Sequence, residues 1–206
     1  MIALGIDPGS RRCGYGVVAR EGTRLVVVAS GVLAPGAERP VAERLARILD
    51  GLAEVIRRAG PAECSIEQVF SGASARSALV LGQARGVALA AAAQAGLPVF
   101  EYAPSEVKLA FTGSGRATKD QMIRTAHMLL GATPGLSDEA DALALAVCHL
   151  ARRAGRLAVP AVRNVAVSVP GVAGRTRPLA LQPDRERAAL AAARLRPSRR
   201  DHRGLA

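Results

Sequence analysis

Apolar residues along the first part of the chain follow two different periods. Three short runs of strand type, Ile2–Ile6, Gly14–Arg20 and Arg24–Val32, are separated by the turn signals Asp-Pro-Gly-Ser and Glu-Gly-Thr. Links this short predict an antiparallel meander. From Pro40 to Ala59 the apolar residues recur at helical spacing, with arginine and glutamate on the opposite face. The sequence therefore predicts three strands followed by an amphipathic helix.

The remaining elements alternate between strand and helix. An apolar run at Cys64–Phe70 predicts a fourth strand, and Pro98–Tyr102 predicts a fifth. The predicted helices are Ser74–Ala95, Pro104–Phe111, Lys119–Leu130 and Ser137–Ala154. Three antiparallel strands followed by strand-helix units indicate an α/β fold with a mixed five-stranded sheet flanked by helices.

The pattern changes near Gly155, which predicts a folded domain over residues 1–154 and a basic, largely disordered C-terminal tail over 155–206. The net charge of +11 is concentrated in the tail: residues 157–206 hold 10 Arg and 3 acids, against 18 Lys/Arg and 14 Asp/Glu before them. Two readings of the tail stay open: compositional drift without a function, or added salt-sensitive, sequence-independent DNA affinity through counterion release. Net charge alone is weak evidence for a nucleic-acid partner.

Several protein classes are disfavoured by composition. The chain does not open with a signal-peptide pattern, and its most apolar segment, Gly86–Leu97, is too short to span a bilayer. Its three cysteines are isolated and odd in number, which favours neither a disulfide framework nor a zinc ribbon. We therefore expect a cytoplasmic protein without a membrane partner.

Four acidic residues are placed where an acid is unfavourable for folding. Asp7 ends the first strand, Glu67 interrupts the fourth, and Asp138 and Asp141 open the last helix on one face. Each has an ordinary explanation alone, such as a turn or a helix N-terminus. Together, carboxylates gathered in a core require a neutralising cation. Their oxygens predict a divalent-metal site of the kind used in two-metal phosphodiester hydrolysis.

Lysine usage adds a second signal. Of 28 basic residues, only Lys108 and Lys119 are lysine, and both lie between the second and third acidic elements. Arginine and lysine differ in shape and hydration, so a site that needs a compact charge resists exchange to arginine. The two lysines are therefore candidate site residues, with chance survival as the alternative.

Four collinear motifs resemble those of the RuvC Holliday-junction resolvase family. They are Gly5–Ser10, Ile66–Phe70, Leu81–Gly86 and Asp138–Ala144, and the similarity extends over about residues 1–154. The resemblance implies an RNase H-like fold, a homodimer, and paired symmetrical nicks in a four-way DNA junction. It implies dependence on Mg²⁺, with two ions per active site and Mn²⁺ as a substitute. The tail has no counterpart in the core of this family, so the resemblance implies nothing about its role.

The resemblance also implies a role for each carboxylate. Asp7 would bridge both metal ions, Glu67 would bind one of them, and Asp138 and Asp141 would bind the other or its water. In a two-metal site, one ion activates the attacking water and the other stabilises the leaving 3′ oxygen.

Three further residues match family positions that contact DNA. Lys119 would offset charge that develops at the scissile phosphate, and Lys108 would contact the neighbouring backbone. Phe70 would stack on an unpaired base at the junction, at about 1–3 kcal/mol per stacked base. The branch-migration proteins RuvA and RuvB are implied as pathway partners.

Other functions share parts of this pattern. The Gly5–Ser10 turn is similar to the phosphate hairpin of actin-like sugar kinases, but this chain is too short for their duplicated domain. An RNase H-like nuclease acting on structured RNA and a junction-binding module that does not cut stay open as alternatives. The small residues of Ser74–Ala95 fit either ordinary sheet cover or a dimer contact, and the two-fold symmetry of a junction favours the dimer.

Overall fold

The computed structural model describes residues 1–68 and 75–155 of the chain, apart from the side chains of Ala75 and Arg76. The strands in these residues are β1 Ile2–Asp7, β2 Cys13–Glu21, β3 Arg24–Leu33, β4 Glu63–Glu67 and β5 Val99–Tyr102. The helices are α1 Val41–Ala59, α2 Ala75–Gln94, α3 Pro104–Thr112, α4 Lys119–Leu130 and α5 Ser137–Arg153. The tail beyond residue 155 and the aromatic Phe70 lie outside the described residues.

The five strands form one sheet in the order β3-β2-β1-β4-β5. β2 pairs antiparallel with both β1 and β3, whereas β4 lies parallel to β1 and β5 parallel to β4. The predicted mixed sheet is therefore confirmed, with the meander on one side and the strand-helix units on the other. β1 occupies the centre, so a residue at its C-terminal end has a strand on each side.

Alternation along β1 divides the core into two layers. Leu4 and Ile6 pack with α1 and α2 on one face of the sheet, whereas Ala3 packs with α3, α4 and α5 on the other. Because side chains alternate, Gly5 and Asp7 lie on the same face as Ala3, and that face is covered by α5. In the same way Cys64 and Ile66 of β4 face α1 and α2, which leaves Glu67 on the α5 side.

A buried polar network fixes the C-terminal half of α5. His149 is fully buried, with Nδ1 2.7 Å from the Tyr102 hydroxyl and Nε2 2.5 Å from Glu63 Oε2. Arg153 donates to the other oxygen of Glu63 at 2.7 Å. Burial lowers the pKa of His149, against the opposing effect of its hydrogen bond to Glu63. The network joins α5 to the beginning of β4 and the end of β5.

β4 ends earlier than its apolar pattern predicts. The strand was expected to extend to Phe70, but it ends at Glu67, and the backbone N–H of Gln68 makes one further bond to Tyr102 O at 2.8 Å. The partner strand β5 ends at Tyr102, and the rest of the predicted extension, Val69 and Phe70, lies outside the described residues. Glu67 is consequently a strand-end residue like Asp7.

The cysteines and the helices of the described residues bear on the expectations about disulfides and membrane spans. All three cysteines are buried free thiols. Among the residues that the structure describes, none of the helices combines the length and apolar composition needed to span a membrane.

Candidate active site

Asp7 and Glu67 lie side by side at the carboxyl ends of two parallel strands. The strand register pairs Ile6 of β1 with Ile66 of β4, and the two acids follow these residues directly. Ile6 and Ile66 face α1 and α2. Because side chains alternate along a strand, the carboxylates of the next residues point to the opposite face, which α5 covers. The strand pairing alone therefore brings together two of the four predicted acids.

Glycines in β1 and β2 allow α5 to approach this edge of the sheet. A Cβ at Gly14, the cross-strand partner of Asp7, would lie 1.9 Å from the carbonyl oxygen of Asp138. One turn further along, a Cβ at Gly5 would lie 2.0 Å from the carbonyl oxygen of Ala142. Any larger residue would push the helix away. The backbone of Asp138 thus rests on the strand position opposite Asp7.

Burial and mutual repulsion raise the pKa values of three of the four acids. Burial raises the pKa of Asp7 from 3.8 to about 7, and the charge of Asp141 adds to this effect. Glu67 and Asp138 raise the Asp7 pKa further. Burial is also the largest cause of the raised pKa values of Glu67 and Asp141. In the absence of a cation, this cluster resists full ionisation.

Both lysines of the chain act on the same cluster. Lys119 lowers the pKa values of Asp7 and Asp141, and Lys108 lowers those of Glu67 and Asp141. Lys119 is the first residue of α4, whose N-terminus is fixed by a capping box between Thr118 and Gln121. A positive side chain is unfavourable at that end of a helix dipole. Its position therefore suggests a requirement other than helix stability.

Two arginines that the sequence did not single out contact the acids. Arg12 Nε lies 3.0 Å from Asp138 Oδ2, at the exposed side of the cluster. Arg85 of α2 donates to the carbonyl oxygen of Glu67. The motif Leu81–Gly86 contains Arg85, but a helical position gives no sign that its side chain reaches a strand end. Arg12 follows the turn after Asp7, and that proximity was its only sequence signal.

The donor set fits a hard divalent cation in its chemistry. The acids supply carboxylate oxygens, and burial together with the neighbouring acids raises the pKa of Asp7, so a cation bound there would favour its ionised form. Within residues 1–68 and 75–155, no three His, Cys, Asp or Glu side chains stand as a ready-made metal-ligand set. The metal-binding roles of Asp7, Glu67, Asp138 and Asp141 therefore stay predictions. The stacking role of Phe70 falls on a residue outside the described ones.

Comparisons with known proteins identify one family. The family model described as crossover junction endodeoxyribonuclease RuvC matches residues 3–149. A relative of that description from Anaeromyxobacter sp. (strain Fw109-5) is 98% identical over 206 residues, which is 100% of both chains. Another, from Azorhizobium caulinodans, is 50% identical over 151 residues, covering 73% of this chain and 89% of its own.

A solved structure extends the similarity to three dimensions. RuvC of T. thermophilus in complex with a Holliday junction substrate superposes with a TM-score of 0.69 at 36% identity. The match covers 76% of this chain and 97% of the T. thermophilus chain. The RNase H-like fold that the motifs implied is thereby confirmed. With strand-end acids under α5 and a family match over most of the chain, the protein belongs to the RuvC family of crossover junction endodeoxyribonucleases.

Proposed function

We propose that the protein resolves Holliday junctions by metal-dependent, symmetrical nicking of two DNA strands during recombination and repair. The observation that carries this proposal is the convergence of Asp7, Glu67 and the first turn of α5, with Lys108 and Lys119 acting on the same cluster. The T. thermophilus relative, similar over three quarters of this chain, was solved with a junction substrate.

Each acid has a distinct position from which to hold a divalent cation. Asp7, between β2 and β4, would contact both ions of a pair, Glu67 one of them, and Asp138 and Asp141 the other. Such ions, for which we propose Mg²⁺ with Mn²⁺ as a substitute, activate water and stabilise the leaving oxygen of an in-line displacement. Arg12 pairs with Asp138, one of the carboxylates that would hold the cation.

The basic residues would act on the DNA itself. Lys119 is exposed at the N-terminus of α4, close enough to Asp7 and Asp141 to lower their pKa values. From there its ammonium group would offset negative charge that grows on the scissile phosphate. Lys108, on the neighbouring helix α3, would hold the adjacent backbone. Phe70 would stack on an unpaired base, and the tail would add sequence-independent affinity.

A homodimer is the assembly that this substrate requires. A junction presents two equivalent strands, so two active sites related by a two-fold axis cut them symmetrically. On α2 the face opposite the core exposes Gly82, Gly86 and Ala90, and Leu79 beside them is 66% exposed. Small residues allow close helix approach, which supports α2 as the dimer contact. We further propose a cytoplasmic protein that works with the RuvA–RuvB branch-migration complex.

A nicking assay tests the function and its alternatives together. The substrates are a synthetic mobile four-way junction, a linear duplex and an RNA hairpin, with cuts mapped on each strand with and without Mg²⁺. We expect paired nicks in the junction only, and Asp7→Asn should abolish cutting while junction binding persists. Preferred cleavage of RNA would identify a different nuclease, and binding without any cleavage would identify a module that only holds junctions.

A further inference from the structure

Arg85 reaches from α2 to the carboxyl end of β4. One guanidinium nitrogen donates to the carbonyl oxygen of Glu67. The other terminal nitrogen lies 2.6 Å from Glu101 Oε1 on β5. Only 13% of the Arg85 side chain is exposed. The guanidinium is therefore committed to two partners within the protein, which leaves little of it for a direct contact with DNA.

This contact acts at the end of β4. Glu67 is the last residue of the strand, and within the described residues the pairing with β5 continues to the bond from Gln68 N to Tyr102 O. A hydrogen bond to the Glu67 carbonyl restrains the peptide plane that follows its Cα, and so limits the directions its side chain can take. Tyr102 of β5 is the cross-strand partner of Glu67, and Glu101 precedes it. From there Glu101 holds the Arg85 guanidinium in place.

We propose that Arg85 is a positioning residue which, braced by Glu101, orients Glu67 for divalent-cation binding. The inference rests on the proposed function, because it presumes that Glu67 is a metal ligand. Mutation of a group that holds a metal ligand in place commonly lowers metal affinity or activity by about 10- to 100-fold. Arginine suits the task because its planar fork donates in two directions at once, which a single ammonium group cannot reproduce.

Metal affinity separates positioning from ordinary structural support. Mn²⁺ binding is measured by isothermal titration calorimetry on the full chain, well below the unfolding temperature of each variant. The variants are Arg85→Met, Arg85→Lys and Glu101→Gln. Arg58→Met is the matched control, since Arg58 pairs with Glu54 on the exposed surface of α1, a helix that contributes no residue to the acidic site. Junction binding in EDTA is measured in parallel.

We expect Arg85→Met to weaken Mn²⁺ binding by about 10- to 100-fold, with junction affinity in EDTA within about twofold of wild type. Arg85→Lys should be intermediate, and Glu101→Gln should weaken binding several-fold because the Glu67 carbonyl contact survives. Arg58→Met should match wild type. If Arg85→Met fails to fold, Arg85→Lys and Glu101→Gln carry the same test.

Two results would overturn the inference in different ways. Normal Mn²⁺ affinity in the Arg85 and Glu101 variants, beside a wild type that binds Mn²⁺, refutes positioning and leaves the proposed function standing. A wild-type chain that binds no Mn²⁺ refutes the metal-dependent function and the inference with it. Loss of junction affinity in EDTA would instead identify Arg85 as a DNA contact.

Discussion

Replacement of Asp7 by asparagine should stabilise the metal-free protein at high pH. Burial and the neighbouring acids raise the pKa of Asp7 from 3.8 to about 7. The unfolded chain releases this proton near pH 4, whereas the folded chain keeps it until about pH 7. Between these values the folded state binds more protons, so the free energy of unfolding falls as pH rises. Asparagine keeps the side-chain shape without the charge.

The size of the effect follows from the shift. At about 1.4 kcal/mol per pKa unit, a shift from 3.8 to about 7 corresponds to roughly 4 kcal/mol, which is an upper value because water and salt screen the cluster. We expect the free energy of unfolding of Asp7→Asn to exceed that of wild type by about 2–4 kcal/mol above pH 8 and by little near pH 4. The difference should grow between these limits, as measured by urea unfolding in EDTA.

Controls isolate the cause of this stabilisation. Asp50→Asn removes a carboxylate from α1, which contributes no residue to the acidic site, so it should show no comparable rise with pH. Addition of Mg²⁺ should make wild type more stable than Asp7→Asn, because a cation that binds only the folded wild type stabilises it by mass action. A difference between Asp7→Asn and wild type that stays constant from pH 4 to 9 would refute the reasoning.

Three further changes test separate parts of the account. Gly14→Ala should lower the free energy of unfolding by about 1–3 kcal/mol or more and impair cleavage, because the new methyl group meets the first turn of α5. Gly135 has open space around it, so Gly135→Ala should change the free energy of unfolding by less than about 0.5 kcal/mol. Lys119→Arg should slow cleavage while junction binding persists, since a planar guanidinium does not reproduce a compact ammonium. Glu63→Gln should cost about 1–3 kcal/mol in urea unfolding through its bond to His149, yet leave cleavage per folded molecule unchanged.

Elements with clear local patterns could be predicted from the sequence. The start of α4 at Lys119 follows from the Thr118–Gln121 capping box, which is encoded within four residues. The end of β1 at Asp7 follows from the Asp-Pro-Gly-Ser turn signal that begins at this residue. These features depend on neighbours in sequence or on a two-residue period.

Features that depend on distant contacts could not be predicted. Within the described residues β4 ends at Glu67, opposite the last residue of β5, and the apolar run of β4 does not reveal this partner. Gly14 gives no local sign that α5 lies against it. Arg85 is 18 residues from the Glu67 carbonyl that it binds, and helical periodicity alone does not identify that partner. The fold was therefore more predictable than the contacts that refine the site.

Anomalous scattering from Mn²⁺ tests the central claim most directly. Crystals of the protein are soaked in Mn²⁺ at a concentration that supports junction cleavage, and data are collected at the manganese edge. The account predicts density beside Asp7, contacted also by Glu67 and by Asp138 or Asp141. Density elsewhere on the molecule, or none in crystals of a protein that cuts under the same conditions, would contradict it.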